Sequence, residues 1–368
     1  MKIDVITMQA VYNYGSALQT YATQRLFCNM GYEVDIIDYY PKRMRNYGSL
    51  KQIYTEVKPF HKKVWKSAIV SMLKYPSMRK QKVVFQAFAE KYYRKTKPYY
   101  SNEELCDDPP VADIYCTGSD QVWNDYLEEG NFDRAYFLDF APTGKKKISY
   151  AASFGRHDIT KEELKPVHDL LEDYQAISVR EESGLTILKE VDCSIKECVL
   201  DPTFLLGREE WMELSFPVKE NGYILVYQLH EETAVSEAAM QISKKTGKQV
   251  IRLSSDFFKR FPGGKTIVAP KIEEFISYIA KADLVVTDSF HATAFSVNMN
   301  IPFVSLKWKM FNDRIETILE NTGLSERSVR TAEEALMIYA KPIDYTYVNE
   351  KLNALRVKSK SYLKIALE

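Results

Sequence analysis

The residues most suited to chemistry lie in Asp283-Leu284-Val285-Val286-Thr287-Asp288-Ser289-Phe290-His291-Ala292-Thr293-Ala294-Phe295. Four apolar or β-branched residues predict a buried strand, which runs through a polar elbow into an apolar helix. Asp288 or Ser289 can cap that helix, leaving first-turn amides free for an anion. His291 then falls in the first turn beside the anion. A positive helix end lowers an imidazole's pKa and a bound anion raises it, so His291 is placed for proton transfer near neutral pH. The plain alternative is a satisfied core histidine.

Four further stretches carry candidate groups. Tyr12-Asn13-Tyr14-Gly15-Ser16 follows the first predicted strand. There Gly15 permits close backbone approach, Ser16 can cap a helix, and Asn13, Tyr14 and Gly15 are candidates for binding a ligand. It is not a GxGxxG dinucleotide fingerprint. Thr117-Gly118-Ser119-Asp120-Gln121-Val122-Trp123-Asn124 mixes hydrogen-bonding side chains with an indole. That suits a sugar, with Asp120, Gln121 and Asn124 on hydroxyls and Trp123 on the ring face, or else a structural turn with Trp123 in the core. Arg180, in Ser178-Val179-Arg180-Glu181-Glu182, emerges at a strand end where a guanidinium can bind a carboxylate or phosphate; Asp201 of Asp201-Pro202-Thr203 sits on the same rim. Lys307, Lys309 and Arg314 form a last cationic strand-end loop, unless they are surface charges and a salt bridge.

The elements that must position these groups alternate. Predicted strands cover 2–7, 33–39, 113–118, 147–153, 176–180, 197–200, 223–229, 249–253, 284–287 and 303–306, with amphipathic helices at 16–30, 161–175, 233–246 and 272–281. Such alternation argues for parallel sheets covered by helices. At 368 residues the chain exceeds what one core usually serves. A break between Asp201 and Pro217 divides it into a domain of residues 1–207 and one of 208–335, with 336–368 a helical segment packing back on the first. Met1-Lys2-Ile3-Asp4-Val5-Ile6 reads as a strand rather than a secretory segment. The five cysteines, scattered and without metal-ligand spacing, read as buried thiols of a reducing cytoplasm.

Lys+Arg and Asp+Glu are both 50, so overall charge gives no reason to expect nucleic acid. The distribution is uneven. Residues 42–97 hold 16 Lys/Arg against Glu56 and Glu90, interleaved with Tyr54, Phe60, Trp65, Tyr75, Phe85, Phe88, Tyr92 and Tyr93. A basic amphipathic helical insertion suits an anionic membrane surface or an acceptor carrying a lipid diphosphate. The alternative is a solvated helical excursion whose aromatics pack on the core.

These motifs, in order, closely resemble the polysaccharide pyruvyl transferase family from the first strand to about residue 330. The resemblance rests on Asn13-Tyr14-Gly15-Ser16-Ala17-Leu18-Gln19, Gly31-Tyr32-Glu33-Val34 to Asp38-Tyr39, and Gly118-Ser119-Asp120-Gln121-Val122-Trp123-Asn124. It continues through Ser149-Tyr150-Ala151-Ala152-Ser153-Phe154-Gly155, Ser178-Val179-Arg180-Glu181, Asp201-Pro202-Thr203 and Thr287-Asp288-Ser289-Phe290-His291. It implies a GT-B-like α/β fold, two Rossmann-like domains with mainly parallel sheets facing a cleft. It also implies transfer of pyruvate from phosphoenolpyruvate to two hydroxyls of a cell-surface glycan unit, making a cyclic ketal.

In those terms His291 is the general acid, and Asp288 or Asp201 a base or the group orienting it. Donor contacts would come from Arg180, Ser289, Phe290, Lys307, Lys309 and Arg314. Acceptor contacts would come from Asn13, Tyr14, Gly15, Asp120, Gln121, Trp123, Asn124 and Asp201. In the better-studied branch an Arg and a Leu precede the histidine and the Arg helps bind phosphoenolpyruvate. Ser289 and Phe290 stand there in this chain, so anion binding must lean on Arg180, the elbow amides and the downstream cations.

The expected partners are phosphoenolpyruvate as co-substrate and a glycan acceptor, on an undecaprenyl diphosphate or free. No metal or other cofactor is expected. The expected location is the cytoplasm, at the inner face of the plasma membrane, as a monomer or homo-oligomer. On the same scaffold, a nucleotide-sugar glycosyltransferase and a non-catalytic glycan-assembly protein are the alternatives.

Overall fold

The computed structural model describes residues 1–60, 64–124, 132–190, 195–230, 233–255, 264–308 and 312–368. The first half of the chain supplies β1 Lys2–Ile6, β2 Glu33–Tyr39, β3 Lys95–Tyr99, β4 Ile114–Thr117, β5 Lys146–Ser149, β6 Ile177–Val179 and β7 Lys196–Cys198. The second supplies β8 Tyr223–Tyr227, β9 Gln249–Ser254, β10 Lys265–Val268, β11 Leu284–Thr287, β12 Phe303–Leu306 and β13 Ser328–Val329. One sheet runs β3-β2-β1-β4-β5, the other β10-β9-β8-β11-β12-β13, and every pairing is parallel. Bridges Ile148–Ala176 and Ala152–Val179 carry the first sheet on into the β6-β7 pair.

Both central strand pairs are buried, as apolar runs such as Tyr223-Ile224-Leu225-Val226-Tyr227 require when helices cover both sheet faces. Strand order reverses direction between β1 and β4 in one sheet and between β8 and β11 in the other. These are the topological switch points, where open parallel sheets leave a crevice beyond the strands' carboxyl ends.

Three short strands at or near sheet edges, β3, β10 and β13, escape the hydrophobic pattern. β3 reads Lys-Thr-Lys-Pro-Tyr, and lysine and proline are what an edge tolerates. Its presence also corrects the reading of 42–97 as one helical insertion. The segment is the crossover between β2 and β3, holding helices Leu50–Val57 and Val64–Tyr92 before the strand begins. The cysteines need correction too. Cys116 and Cys198 are buried thiols, whereas Cys28 and Cys106 are exposed; Cys193 lies outside the described residues.

The two sheets share one apolar core. The helix Tyr14–Asn29 follows β1 and meets the second half directly. Tyr14 stacks on Phe275 with ring centres 4.6 Å apart, and its hydroxyl donates to the Pro270 carbonyl at 2.7 Å. Trp211 packs edge-on against Phe295 at 4.9 Å and donates its indole N–H to the Thr203 carbonyl. The last helix, Tyr345–Leu367, returns to the first half: Tyr362 donates to the Ser149 carbonyl at 2.8 Å and Ser359 accepts the Leu200 amide at 2.9 Å. Arg356 ties that helix to both halves through the Phe204 carbonyl and Asn298. Among the described residues no helix is long and apolar enough to cross a membrane.

Tyr14 is expected to hold the halves together rather than to touch a ligand. Tyr14→Ala should lower unfolding free energy by about 3–5 kcal/mol, as for other large buried aromatics. Tyr14→Phe should cost only about 1 kcal/mol for the lost hydrogen bond. Urea denaturation of the two variants checks both, and equal small effects would rule the clamp out.

Candidate active site

The loops that leave β1, β2, β4, β8, β11 and β12 converge from the two sheets on one cavity of about 290 Å³. Its wall includes Asn13, Arg43, Gln121, His230, Ser289, Phe290, His291, Trp308 and Arg314. Each group reaches it for a local reason. Ser289 is the N-cap of the helix Phe290–Asn298, its hydroxyl accepting from the Ala292 amide. This sets His291 in the first turn, whose amides have no acceptor within the helix. Asn13, not Ser16, caps the helix Tyr14–Asn29, accepting the Gly15 amide at 2.8 Å. Gly15 lies flat against the histidine: a Cβ there would fall 1.9 Å from His291 Nδ1. Glycine is needed for close approach between the two halves, not for backbone conformation.

Behind His291 is a buried charge cluster. Arg180 donates to Asp201 Oδ2 at 2.9 Å and to Asp120 Oδ1 at 3.0 Å, and Glu181 lies 3.7 Å from its Nε. Its side chain is 0% exposed, so the guanidinium expected to hold a donor anion is instead consumed by the protein's own carboxylates. Asp120 also accepts from Ser16 at 2.5 Å, and Asp201 from Ser119 at 2.9 Å and from Thr203. Asp120 adopts φ 83°, a left-handed conformation costing a non-glycine residue on the order of 1 kcal/mol, and the ion pair holds it there. Burial opposes ionisation of both aspartates. Arg180 and His291 outweigh it and hold both carboxyls below their ordinary range. Burial raises the Glu181 carboxyl, with Arg180 opposing.

Among the described residues His291 Nε2 has no hydrogen-bond partner, and Asp201 Oδ2 stands 3.9 Å away, too far for a hydrogen bond. Burial pulls the imidazole pKa down to about 4. Asp201 and Asp120 resist this, while Arg180 and Arg314 add to it. At neutral pH the ring is therefore uncharged.

Arg314 is, with Arg43, a cation of the cavity wall that no carboxylate pairs among the described residues. Among the described residues it makes no hydrogen bond or ion pair, and it lies half-buried over the Phe290 ring at 5.6 Å. Arg180 lies 5.0 Å from the same ring, so Phe290 sits against both guanidiniums. Desolvation, with Arg180 nearby, brings the Arg314 pKa down to about 10, which leaves it charged at neutral pH.

Other expected site residues have different roles, although Asp288 and Asp120 line the cavity. Asp288 does not reach the imidazole: its oxygens accept the Leu229 amide at 2.7 Å, the His230 amide at 2.9 Å and approach His230 Nδ1 at 3.1 Å, so it shapes the β8 loop. Asp201 and Asp120 are the carboxylates acting on His291. Trp123 is fully buried, stacked on Phe137 at 5.5 Å with its N–H on the Tyr136 carbonyl, and has no face for a sugar. Asn124 is buried and does not line the cavity. Tyr14 belongs to the core between the sheets. Lys307 pairs with Glu316 at 2.7 Å, and Lys309 lies outside the described residues.

Sequence reasoning missed His230, Trp308 and Arg43 as wall residues. His230 and Trp308 stack with ring centres 4.0 Å apart and planes 8° from parallel. His230 directly follows the predicted strand 223–229 and Trp308 lies two residues beyond 303–306, and that position at a strand's carboxyl end was the available signal. Arg43 carries none, since it is one cation among many.

A model described as "Polysaccharide pyruvyl transferase" matches residues 13–310. No curated protein matches the chain. Among solved structures, the chain is similar to a UDP-GlcNAc 2-epimerase from Neisseria meningitidis bound to UDP-GlcNAc (TM-score 0.51, 13% identity, covering 99% of this chain and 100% of that one). The enzyme of the same name from Methanocaldococcus jannaschii, in complex with UDP-GlcNAc and UDP, gives TM-score 0.52 at 13% identity over 98% and 100% of the chains. That from Rickettsia bellii gives 0.51 at 10% over 100% and 96%. At such identities the likeness is one of fold, and the fold is of the GT-B type.

The Gly15–His291 contact makes a sharp expectation. In Gly15→Ala the new methyl must displace the imidazole, although alanine favours the helix by up to about 1 kcal/mol. NMR titration of His291 should give a midpoint near 4 in the parent protein. The variant's midpoint should move up toward the ordinary value as the ring leaves its buried seat, and Asp201→Asn should move it down. An unshifted midpoint in Gly15→Ala would show that the contact does not constrain the ring.

Proposed function

The chain belongs to the polysaccharide pyruvyl transferase family, and we propose that it moves pyruvate from phosphoenolpyruvate onto two hydroxyls of a sugar, forming a cyclic ketal and releasing phosphate. The acceptor is a unit of a cell-surface polysaccharide or of its lipid-linked precursor. The observation that carries this reading is the pairing of a buried neutral imidazole with Arg314, a guanidinium free of any carboxylate partner among the described residues, on one cavity wall.

Phosphoenolpyruvate brings a phosphate and a carboxylate. Arg314 and the first-turn amides of Phe290 and His291 are the groups suited to them. Anion binding beside His291 raises its pKa, so the proton is taken up together with the substrate. Protonated His291 then gives that proton to the methylene carbon, and C2 becomes oxocarbenium-like. A sugar hydroxyl attacks C2 and returns its proton to His291. The C2–O bond to phosphate breaks, the second hydroxyl closes the ketal, and its proton leaves with the phosphate. Arg180 keeps Asp120 and Asp201 ionised, and these favour the imidazolium that must form transiently. Asn13 and Gln121 offer hydrogen bonds to acceptor hydroxyls, and the flat His230–Trp308 pair offers a surface for an apolar sugar face.

Phosphoenolpyruvate binding should take up as much as one proton per site near neutral pH, read by titration calorimetry in buffers of different ionisation enthalpy, and His291→Gln should abolish the uptake. With an acceptor panel, mass spectrometry should find pyruvylated sugar matched by released phosphate. Arg314→Gln should raise KM for phosphoenolpyruvate about tenfold or more. His291→Gln should lower kcat by about 10²–10⁴. Turnover of a nucleotide sugar without consumption of phosphoenolpyruvate would assign the cleft to glycosyl transfer instead.

A further inference from the structure

The helix Val64–Tyr92 is built in two unlike halves, divided at Pro76. Its later half behaves as a core helix: Phe85 and Phe88 are buried, Gln81 donates to the Tyr12 carbonyl and Lys80 to the Val268 carbonyl. The segment is thereby tied to both halves of the molecule. Its earlier half is turned the other way. Trp65, Ile69, Met72 and Leu73, spaced to share one helical face, are 57%, 49%, 67% and 46% exposed. The face turned inward carries Ser67 and Ser71, at 0% and 3%. A helix folded only for water would place these the other way round.

Charge decides what covers such a stripe. Lys66 is exposed beside Trp65, and the neighbouring helix Leu50–Val57 with the turn after it exposes Lys51 and Lys58. Residues 42–97 as a whole carry 16 cations against two carboxylates; Lys91, Arg94, Lys95 and Lys97, at the far end of the segment, pair with carboxylates elsewhere in the chain, and Lys51, Lys58 and Lys66 pair with none among the described residues. A second copy docking through the same face would bring like charges together, whereas an anionic surface is complementary. Indole, aliphatic side chains and flanking lysines on one helix are the composition of a segment lying in a bilayer interface. We propose that the Trp65–Leu73 face seats the protein on an anionic lipid bilayer, with the helix lying in the headgroup layer rather than spanning it. Arg43 of the same crossover lines the cavity, so one continuous stretch of chain joins the docking face to the cleft. Docking of this kind is independent of the chemistry performed there.

The test uses the full chain with phosphatidylcholine vesicles prepared with and without phosphatidylglycerol. The protein should co-sediment only with the anionic vesicles, salt should weaken binding, and Trp65 emission should shift to the blue, a shift absent in Trp65→Phe. Ile69→Glu combined with Met72→Glu should abolish binding. Lys66→Gln and Lys58→Gln should each weaken it about fivefold. All of these variants should retain the parent's turnover on a water-soluble acceptor and its thermal unfolding temperature. No binding by the parent protein, or undiminished binding by the double glutamate variant, overturns the proposal. So does a parent dimer, seen in sedimentation velocity, that the double variant dissolves while vesicles remain unbound; that outcome assigns the face to a second copy.

Discussion

The buried contact of Arg180 with Asp120 and Asp201 is the constraint on which the rest of the cleft depends. A guanidinium without solvent exposure is costly unless its charge is met, and two carboxylates meet it at 2.9 and 3.0 Å. Those carboxylates come from the loop after β4 and from the turn after β7, while Arg180 ends β6. One ion cluster thus sets the rim of the first sheet. Through Ser16 on Asp120 it also sets the first turn of the helix Tyr14–Asn29, and through Asp201 the electrostatic environment of His291. Taking Arg180 away would leave two buried carboxylates facing each other across the site, and the imidazole would lose its neighbours' fixed positions.

His291 belongs to neither half of the molecule alone. Its backbone is held by the helix after β11. The surface that shapes its ring is Gly15, and the charges that favour its protonation are Asp120 and Asp201, all from the first half. Phe290 extends the same logic by packing against Arg180 from one half and Arg314 from the other. Burial between the halves lowers the ring's pKa, and the adjoining cavity leaves one side of it open. The large apolar core shared by the two sheets is what makes so close an approach stable.

Several readings from residue types held only in part, and the reasons are physical. Trp123 among polar neighbours has the composition of a sugar platform, but a strand-end turn must also be anchored, and stacking on Phe137 does that. Asp288 at the elbow has the right type for a partner to histidine. Yet a carboxylate at the start of a loop is equally suited to neighbouring amides, and those of Leu229 and His230 lie nearer. Arg180 looked like an anion hook because its charge is visible in sequence and its partners, 21 and 60 residues away, are not. The aromatics of residues 42–97 divide: Phe85 and Phe88 went to the core and Trp65 did not, a difference set by which side of Pro76 they stand on.

By itself the sequence determined the alternation of strand and helix, the parallel α/β class and the family, and it singled out His291, which the structure places on the cavity wall. Each of these depends on local hydrophobic period, capping residues or an ordered set of motifs, all of which are written along the chain. Only the tertiary structure decided which charged groups face the cavity and which are spent on one another. That choice depends on two switch points, β1/β4 and β8/β11, meeting face to face and bringing together residues more than a hundred positions apart. Arg180 and Arg314 are chemically the same side chain. Burial against Asp120 and Asp201 made the first part of the scaffold, and the second, without such partners among the described residues, stands on the cavity wall.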